Sequence, residues 1–156
     1  AVKNLLKQHQ NLSFVLLEGD NVNINSSVDL IKIKENQYEA IGTADAAIVC
    51  SGTATLETAM LRCPMIVCYK LSWPTWILAQ MLSKVKYLSL VNLIAEDKVV
   101  DEYLQNKMTA KNLSSGVSSL LKNENRDIVV EKYKRLIEKL KTNENPYTSA
   151  ARYIYD

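Results

Sequence analysis

Histidine, phenylalanine, proline and glycine are all scarce in this 156-residue chain: one, one, three and four. The lone histidine, His9, and the cysteines at positions 50, 63 and 68 match no zinc spacing, so no metal site is expected. Histidine-based catalysis is left with one weak candidate, and His9 is read as a structural residue. An odd cysteine count without a recognisable signal peptide points to a reducing compartment and to inert, buried thiols rather than disulfides. No run of about 18 apolar residues is present, so no membrane-spanning helix is expected. The net charge of +2 is too small to argue for a nucleic-acid partner. Repeats and low-complexity segments are lacking as well. What is present is 47% hydrophobic and 23% charged residues, enough for one globular domain with a core. Residues 1–10 read as a helix already under way, which suggests a fragment of a longer protein or one part of a split gene.

The most informative stretch runs from Ala44 to Pro64. Ala46 to Cys50 is a short continuous apolar run, suited to a parallel strand covered on both faces. Ser51-Gly52-Thr53 follows as a turn in which Gly52 supplies a positive φ and lets a ligand approach the backbone. Ser51 or Thr53 is expected to cap the helix that follows, and Leu56, Met60 and Cys63 to face the sheet. Pro64 opens the loop into the next strand. A strand that feeds a helix through this turn points free amides and a helix dipole at one place, which is an anion site. Glu57 lies near the end of the first helical turn. A capping box from Thr53 needs Glu or Gln at position 56, which is Leu, so Glu57 is not explained that way. It is placed to accept hydrogen bonds from two sugar hydroxyls, or it is merely a favourable charge near a helix start; the spacing alone does not separate the two.

Along the rest of the chain, strands are expected at 14–17, 29–34, 65–69 and 87–91. Helices are expected at 37–43 (capped by Asn36), 74–83, 96–106, from Thr109, from Asn125 or Asp127, and from Pro146. Alternating strands and helices mean right-handed crossovers and a mostly parallel sheet with helices on both faces. Ligands of such sheets bind outside the carboxyl ends of the strands. The loops at Ser51 to Thr53, at Tyr69-Lys70 and at Asn92 are expected to converge there.

The run from Ala44 to Glu57, with Cys63-Pro64-Met65-Ile66-Val67-Cys68-Tyr69 and Tyr87-Leu88-Ser89-Leu90-Val91-Asn92-Leu93-Ile94-Ala95, resembles the C-terminal half of the lipid-A-disaccharide synthase family. The resemblance covers essentially the whole chain. It implies a Rossmann-like domain of a two-domain GT-B glycosyltransferase, with extra C-terminal helices. Residues 1–145 would form the nucleotide-sugar donor domain and 146–156 a crossover segment marked by Pro146 and Tyr147, with the N-terminal acceptor domain outside this chain. The family reaction transfers 2,3-diacylglucosamine from UDP-2,3-diacylglucosamine to 2,3-diacylglucosamine 1-phosphate, forming the beta-1,6-linked lipid A disaccharide and UDP. No metal and no cofactor are implied. The amides of Ser51, Gly52 and Thr53 would face the diphosphate, Glu57 would take the ribose hydroxyls, and Asn92 would lie near the donor sugar or diphosphate. Lys70 stands where the family has arginine, keeping the charge without the bidentate geometry. Val91 stands where the family has proline. The loop around Gln37 and Tyr38 would approach the uracil. The catalytic base is expected from the N-terminal half, so this chain alone should bind donor weakly and catalyse little. Partners implied are that half or a second copy of the chain, at the cytoplasmic face of the bacterial inner membrane.

Two other readings fit the same residues: another UDP-N-acetylhexosamine transferase or epimerase, and a non-catalytic remnant whose helices bind another chain. Trp73 and Trp76 are read as core or interdomain packing, with contact to acyl chains or a membrane as the alternative. Lys132, Lys134, Lys139 and Lys141 are read as a solvated helix face.

Overall fold

Pro64 ends a loop and releases five apolar residues, Met65–Tyr69, as the strand around which the rest packs (β4). The computed structural model describes residues 1–18, 28–50, 52–73 and 86–141. In chain order its elements are α1 (Val2–Gln8), β1 (Val15–Leu17), β2 (Ile31–Ile33), α2 (Gln37–Thr43), β3 (Ala47–Cys50), α3 (Thr53–Met60) and β4. There follow α4 (Leu90–Ala95), β5 (Asp101–Leu104), a 3-10 turn at Gln105–Lys107, α5 (Ala110–Leu120) and α6 (Asn123–Leu140).

All the described strand pairs are parallel. β1 pairs with β2, and β3-β4-β5 form a separate three-stranded sheet. Alternation along β4 sorts its side chains to two faces. Met65 and Val67 meet Ala59 of α3, Val91 of α4, and Tyr133 and Leu136 of α6. Ile66 and Cys68 meet Leu5 of α1 and Leu113, Val117 and Leu120 of α5. Gly116 lets α5 approach closely, since a Cβ there would stand 2.7 Å from the Tyr103 hydroxyl. The result is an open parallel sheet with helices on both faces, as expected for this pattern.

Several expectations need correction. Residues 87–91 are not a strand. Ser89 caps α4, its hydroxyl accepting from Asn92 N, so Asn92 lies in a helix rather than after a strand. The third strand of the sheet is Asp101–Leu104, inside what reads as a helix over 96–106. The last long helix starts at Asn123 rather than at Asn125 or Asp127. Met60 is 61% exposed, and the inward face of α3 is Thr55, Thr58 and Ala59. The two threonines are buried because their hydroxyls bond back to Gly52 O and Ala54 O, both at 2.7 Å, so they cost nothing in unmet hydrogen bonds. Trp73 is 61% exposed and so is not a core residue. The helices expected at 74–83, with Trp76, and from Pro146 lie outside the described residues.

Cys63 and Cys68 are buried as expected, but Cys50 is exposed, because β3 is an outer strand of the three-stranded sheet. Burial pushes the Cys63 thiol up to about 11, partly offset by Arg126. Burial raises Cys68 similarly, to about 11. An unfolded thiol ionises from about pH 8.5, so between pH 9 and 11 the unfolded chain binds fewer protons than the folded one, and stability falls as pH rises. Urea unfolding should give full stability at pH 8 and a loss on the order of 2 kcal/mol per buried thiol by pH 11. Cys63→Ala should flatten that slope; an unchanged slope contradicts the assignment.

Among the described residues no helix is long and apolar enough to cross a membrane. Three of the four lysines read as a solvated face are placed where their partners put them. Lys132 reaches Lys98 O at 2.7 Å, Lys134 pairs with Glu131 at 3.1 Å and Lys141 with Glu138 at 2.6 Å. His9 bonds Ser118 Oγ at 2.9 Å and ties α1 to α5.

Candidate functional site

The carboxyl edge of the three-stranded sheet is set by register. Cys50 stands opposite Cys68, so the chain leaves β3 toward Gly52 beside the point where it leaves β4 toward Lys70. Gly52 is the N-cap of α3, with φ 145° and ψ −165°. That region of backbone space is open essentially to glycine alone. Among the described residues no side chain caps this end of α3, so Thr53 is not the cap; Ser51, the other candidate, lies outside the described residues. Gly52 and Thr53 are exposed, and a Cβ added at Gly52 would meet nothing within 4 Å. The first-turn amides of a helix have no intrahelical partner. The turn therefore presents polarised N–H groups to open space.

Glu57 is half-buried one turn into α3, and its carboxylate is engaged by no hydrogen bond or ion pair among the described residues. Tyr69, the last residue of β4, and Lys70 just beyond it are exposed. The loop they start is held from β5's end. Gln105 Oε1 accepts from Leu71 N at 3.0 Å, and its Nε2 donates to Leu71 O at 3.2 Å. Gln105 adopts φ 48°, which turns the chain out of β5. This clamp lies 34 residues away in sequence, and nothing in the local pattern signals it.

Asn92 is placed differently from the crevice residue expected. It is fully buried, and each of its hydrogen-bonding positions is used. Its Oδ1 accepts from Val99 N at 2.8 Å and Val100 N at 2.9 Å. Its Nδ2 donates to Val100 O and to Glu102 Oε1, both at 2.9 Å. Asn92 therefore fastens α4 to the segment entering β5. Glu102, which sequence reasoning missed, is the hub of this region. Its carboxylate accepts from Leu88 N at 3.0 Å, Ser89 N at 2.9 Å, Ser89 Oγ at 2.7 Å and Asn92 Nδ2. The Glu102 carboxylate takes the amides of Leu88 and Ser89 that lead into α4, whereas among the described residues no carboxylate plugs the start of α3.

Tyr38 sits on α2, after the separate pair β1–β2, and is 59% exposed. A cavity of about 420 Å³ lined by His9, Asp45, Leu121 and Arg126 lies at the opposite, amino end of β3. Arg126 and Asp45 pair there at 2.8 Å, and the cavity is not part of the carboxyl edge.

An open parallel sheet, helices on both faces and a glycine turn at the start of α3 fit a Rossmann-like domain of the GT-B glycosyltransferase kind. The comparisons make this specific. A family model described as lipid-A-disaccharide synthetase matches residues 2–154, and the chain belongs to that family. It is 31% identical over 165 residues to the lipid-A-disaccharide synthase of Rickettsia prowazekii (strain Madrid E), covering 99% of this chain and 43% of that protein. It is 34% identical over 125 residues to that of Blochmanniella pennsylvanica (strain BPEN), covering 78% and 32%. With that of Haemophilus influenzae (strain 86-028NP) it shares 32% over 142 residues, covering 88% and 36%. The chain spans less than half the length of these curated relatives. The family is one of glycosyltransferases acting in lipid A biosynthesis.

Proposed function

We propose that this chain is the donor-binding part of a lipid-A-disaccharide synthase. The whole enzyme joins UDP-2,3-diacylglucosamine to 2,3-diacylglucosamine 1-phosphate in a beta-1,6 linkage and releases UDP. The observation that carries this reading is the start of α3 behind Gly52, without a side-chain cap among the described residues, beside exposed Lys70, in a chain of this family. As the glycosidic bond to the donor breaks, negative charge builds on the departing diphosphate. The amides of Ser51, Gly52 and Thr53, the dipole of α3 and the Lys70 ammonium stabilise that charge, which is where an enzyme gains rate.

Glu57, one turn along α3, accepts hydrogen bonds from the ribose hydroxyls, and Tyr38 approaches the uracil. Asn92 acts through position: with Glu102 it fixes α4, which packs on α3 through Val91 and Ala59. The catalytic base and the acceptor site come from the part of the enzyme outside residues 1–145, and residues 146–156 cross toward it. Both substrates are acylated, which sets the reaction at the cytoplasmic face of the inner membrane. Exposed Trp73 is available to that surface or to the other half of the enzyme.

Calorimetric titration with UDP tests the reading. Glu57→Ala should weaken binding by about 1–3 kcal/mol, the range for hydrogen bonds to a charged group. Unchanged affinity in the folded variant removes Glu57 from the site.

A further inference from the structure

The pairing of β3 with β4 sets Cys50 directly opposite Cys68. Paired residues of neighbouring strands project to the same face, with backbones about 4.8 Å apart. A disulfide needs a Cα separation of about 4.4–6.8 Å, so this spacing accepts one with little backbone movement. The two thiols are neighbours across the β3–β4 pairing, and Cys50 is among the groups that raise the Cys68 thiol. Access is asymmetric. Cys50 is exposed on the outer strand, whereas Cys68 is 5% exposed in the cluster under α5. Cys63 lies before the other end of β4, 2% exposed, its Sγ donating to Ala44 O at 3.6 Å.

We propose that Cys50 and Cys68 form an oxidisable dithiol, a modification site that a peroxide converts to a disulfide two residues before Gly52. The Cys50 thiolate attacks one peroxide oxygen. An S–O bond forms, the O–O bond breaks, and the departing oxygen takes a proton to leave as water. The Cys68 sulfur, giving up its proton, then attacks the Cys50 sulfenic sulfur and displaces the hydroxyl as a second water. Two thiols and one hydrogen peroxide thus give one disulfide and two waters; the pair loses two electrons and the peroxide gains them. The order follows from the surroundings. Burial, and after it the neighbouring Cys50, holds the Cys68 thiol up to about 11, so Cys68 is not the sulfur that meets the oxidant. Conversion of Cys50 to the sulfenic acid removes the neighbouring thiol's share of that effect.

The test is a peptide map of the folded chain after hydrogen peroxide at pH 8, with free thiols then blocked by N-ethylmaleimide. The free thiols should fall from three to one, and a Cys50–Cys68 linked peptide should appear two hydrogens lighter than the separate peptides. Cys63 should be alkylated only after denaturation, and dithiothreitol should restore all three thiols. In Cys50→Ser, Cys68 should stay a thiol; in Cys68→Ala, Cys50 should be trapped as the sulfenic acid by dimedone. If Cys50 goes to the sulfinic acid, or links two molecules, while Cys68 stays a free thiol, the proposal is overturned. The wild-type map decides this even if a variant fails to fold, and it does not depend on nucleotide binding.

Discussion

Glu102→Ala should lower the stability of the folded chain by about 3–5 kcal/mol, measured by urea unfolding. The carboxylate accepts from two backbone amides, a hydroxyl and a carboxamide, and three of those donors belong to Ser89 and Asn92, which are fully buried. Removing the acceptor leaves these donors one partner short on buried residues, and each unmet donor costs about 1–3 kcal/mol. The terms share one network and do not add strictly. Against a total stability of about 5–15 kcal/mol for an ordinary domain, the loss is large. Glu102→Gln keeps one acceptor oxygen but points an amide at donors, so it should fall between wild type and alanine. A loss below about 1 kcal/mol for alanine, within the range of an ordinary surface change, contradicts this role.

Gly52→Val should act on both stability and binding. At φ 145° and ψ −165° a β-branched residue is strained, at about 1–3 kcal/mol. No atom lies within 4 Å of the added Cβ, so the cost is conformational rather than a clash. The new side chain would also stand where the diphosphate approaches the amides, so UDP affinity should drop by about tenfold or more, or 1.4 kcal/mol. Gly52→Ala carries the same backbone strain with less bulk and should lose less affinity than valine. Valine with wild-type UDP affinity would mean that the ligand does not approach this turn.

Much of the frame is legible in the residues, and for identifiable reasons. Met65–Tyr69 is bounded by Pro64 and is apolar throughout, because β4 is the central strand and both its faces are covered. The Thr109 cap, whose hydroxyl accepts from Asn112 N, follows from a local rule, and Gln37–Thr43 forms where expected although Asn36, at φ 55°, makes no side-chain cap bond to it. The errors arise where long-range contacts decide. Leu88, Leu90 and Val91 are apolar in a window too short for periodicity to separate strand from helix. Glu102, ten residues beyond Asn92, settles the matter by holding the start of α4. The Asp-Glu start of β5 hides a strand because β5 is an outer strand, where charged side chains are tolerated and useful. Cys50 reads as core because its neighbours are apolar, yet only one face of β3 is covered, giving alternate exposure along it.

The site divides in the same way. The turn at Gly52 is visible in sequence because its chemistry is local. Asn92 is visible as a residue of note, but its work is internal, and only its hydrogen bonds reveal that. Glu102 and Gln105 act across 10 and 34 residues, a distance over which no pattern in one sequence is informative.

The most direct test of the donor-binding account is amide NMR of the folded chain titrated with UDP to millimolar concentration. The account predicts saturable shifts concentrated at the amides of residues 51–54, Glu57 and Lys70, with those of the cavity at His9 and Arg126 unmoved. Shifts absent from residues 51–54 and 70, or centred on the amino end of the sheet, would contradict it.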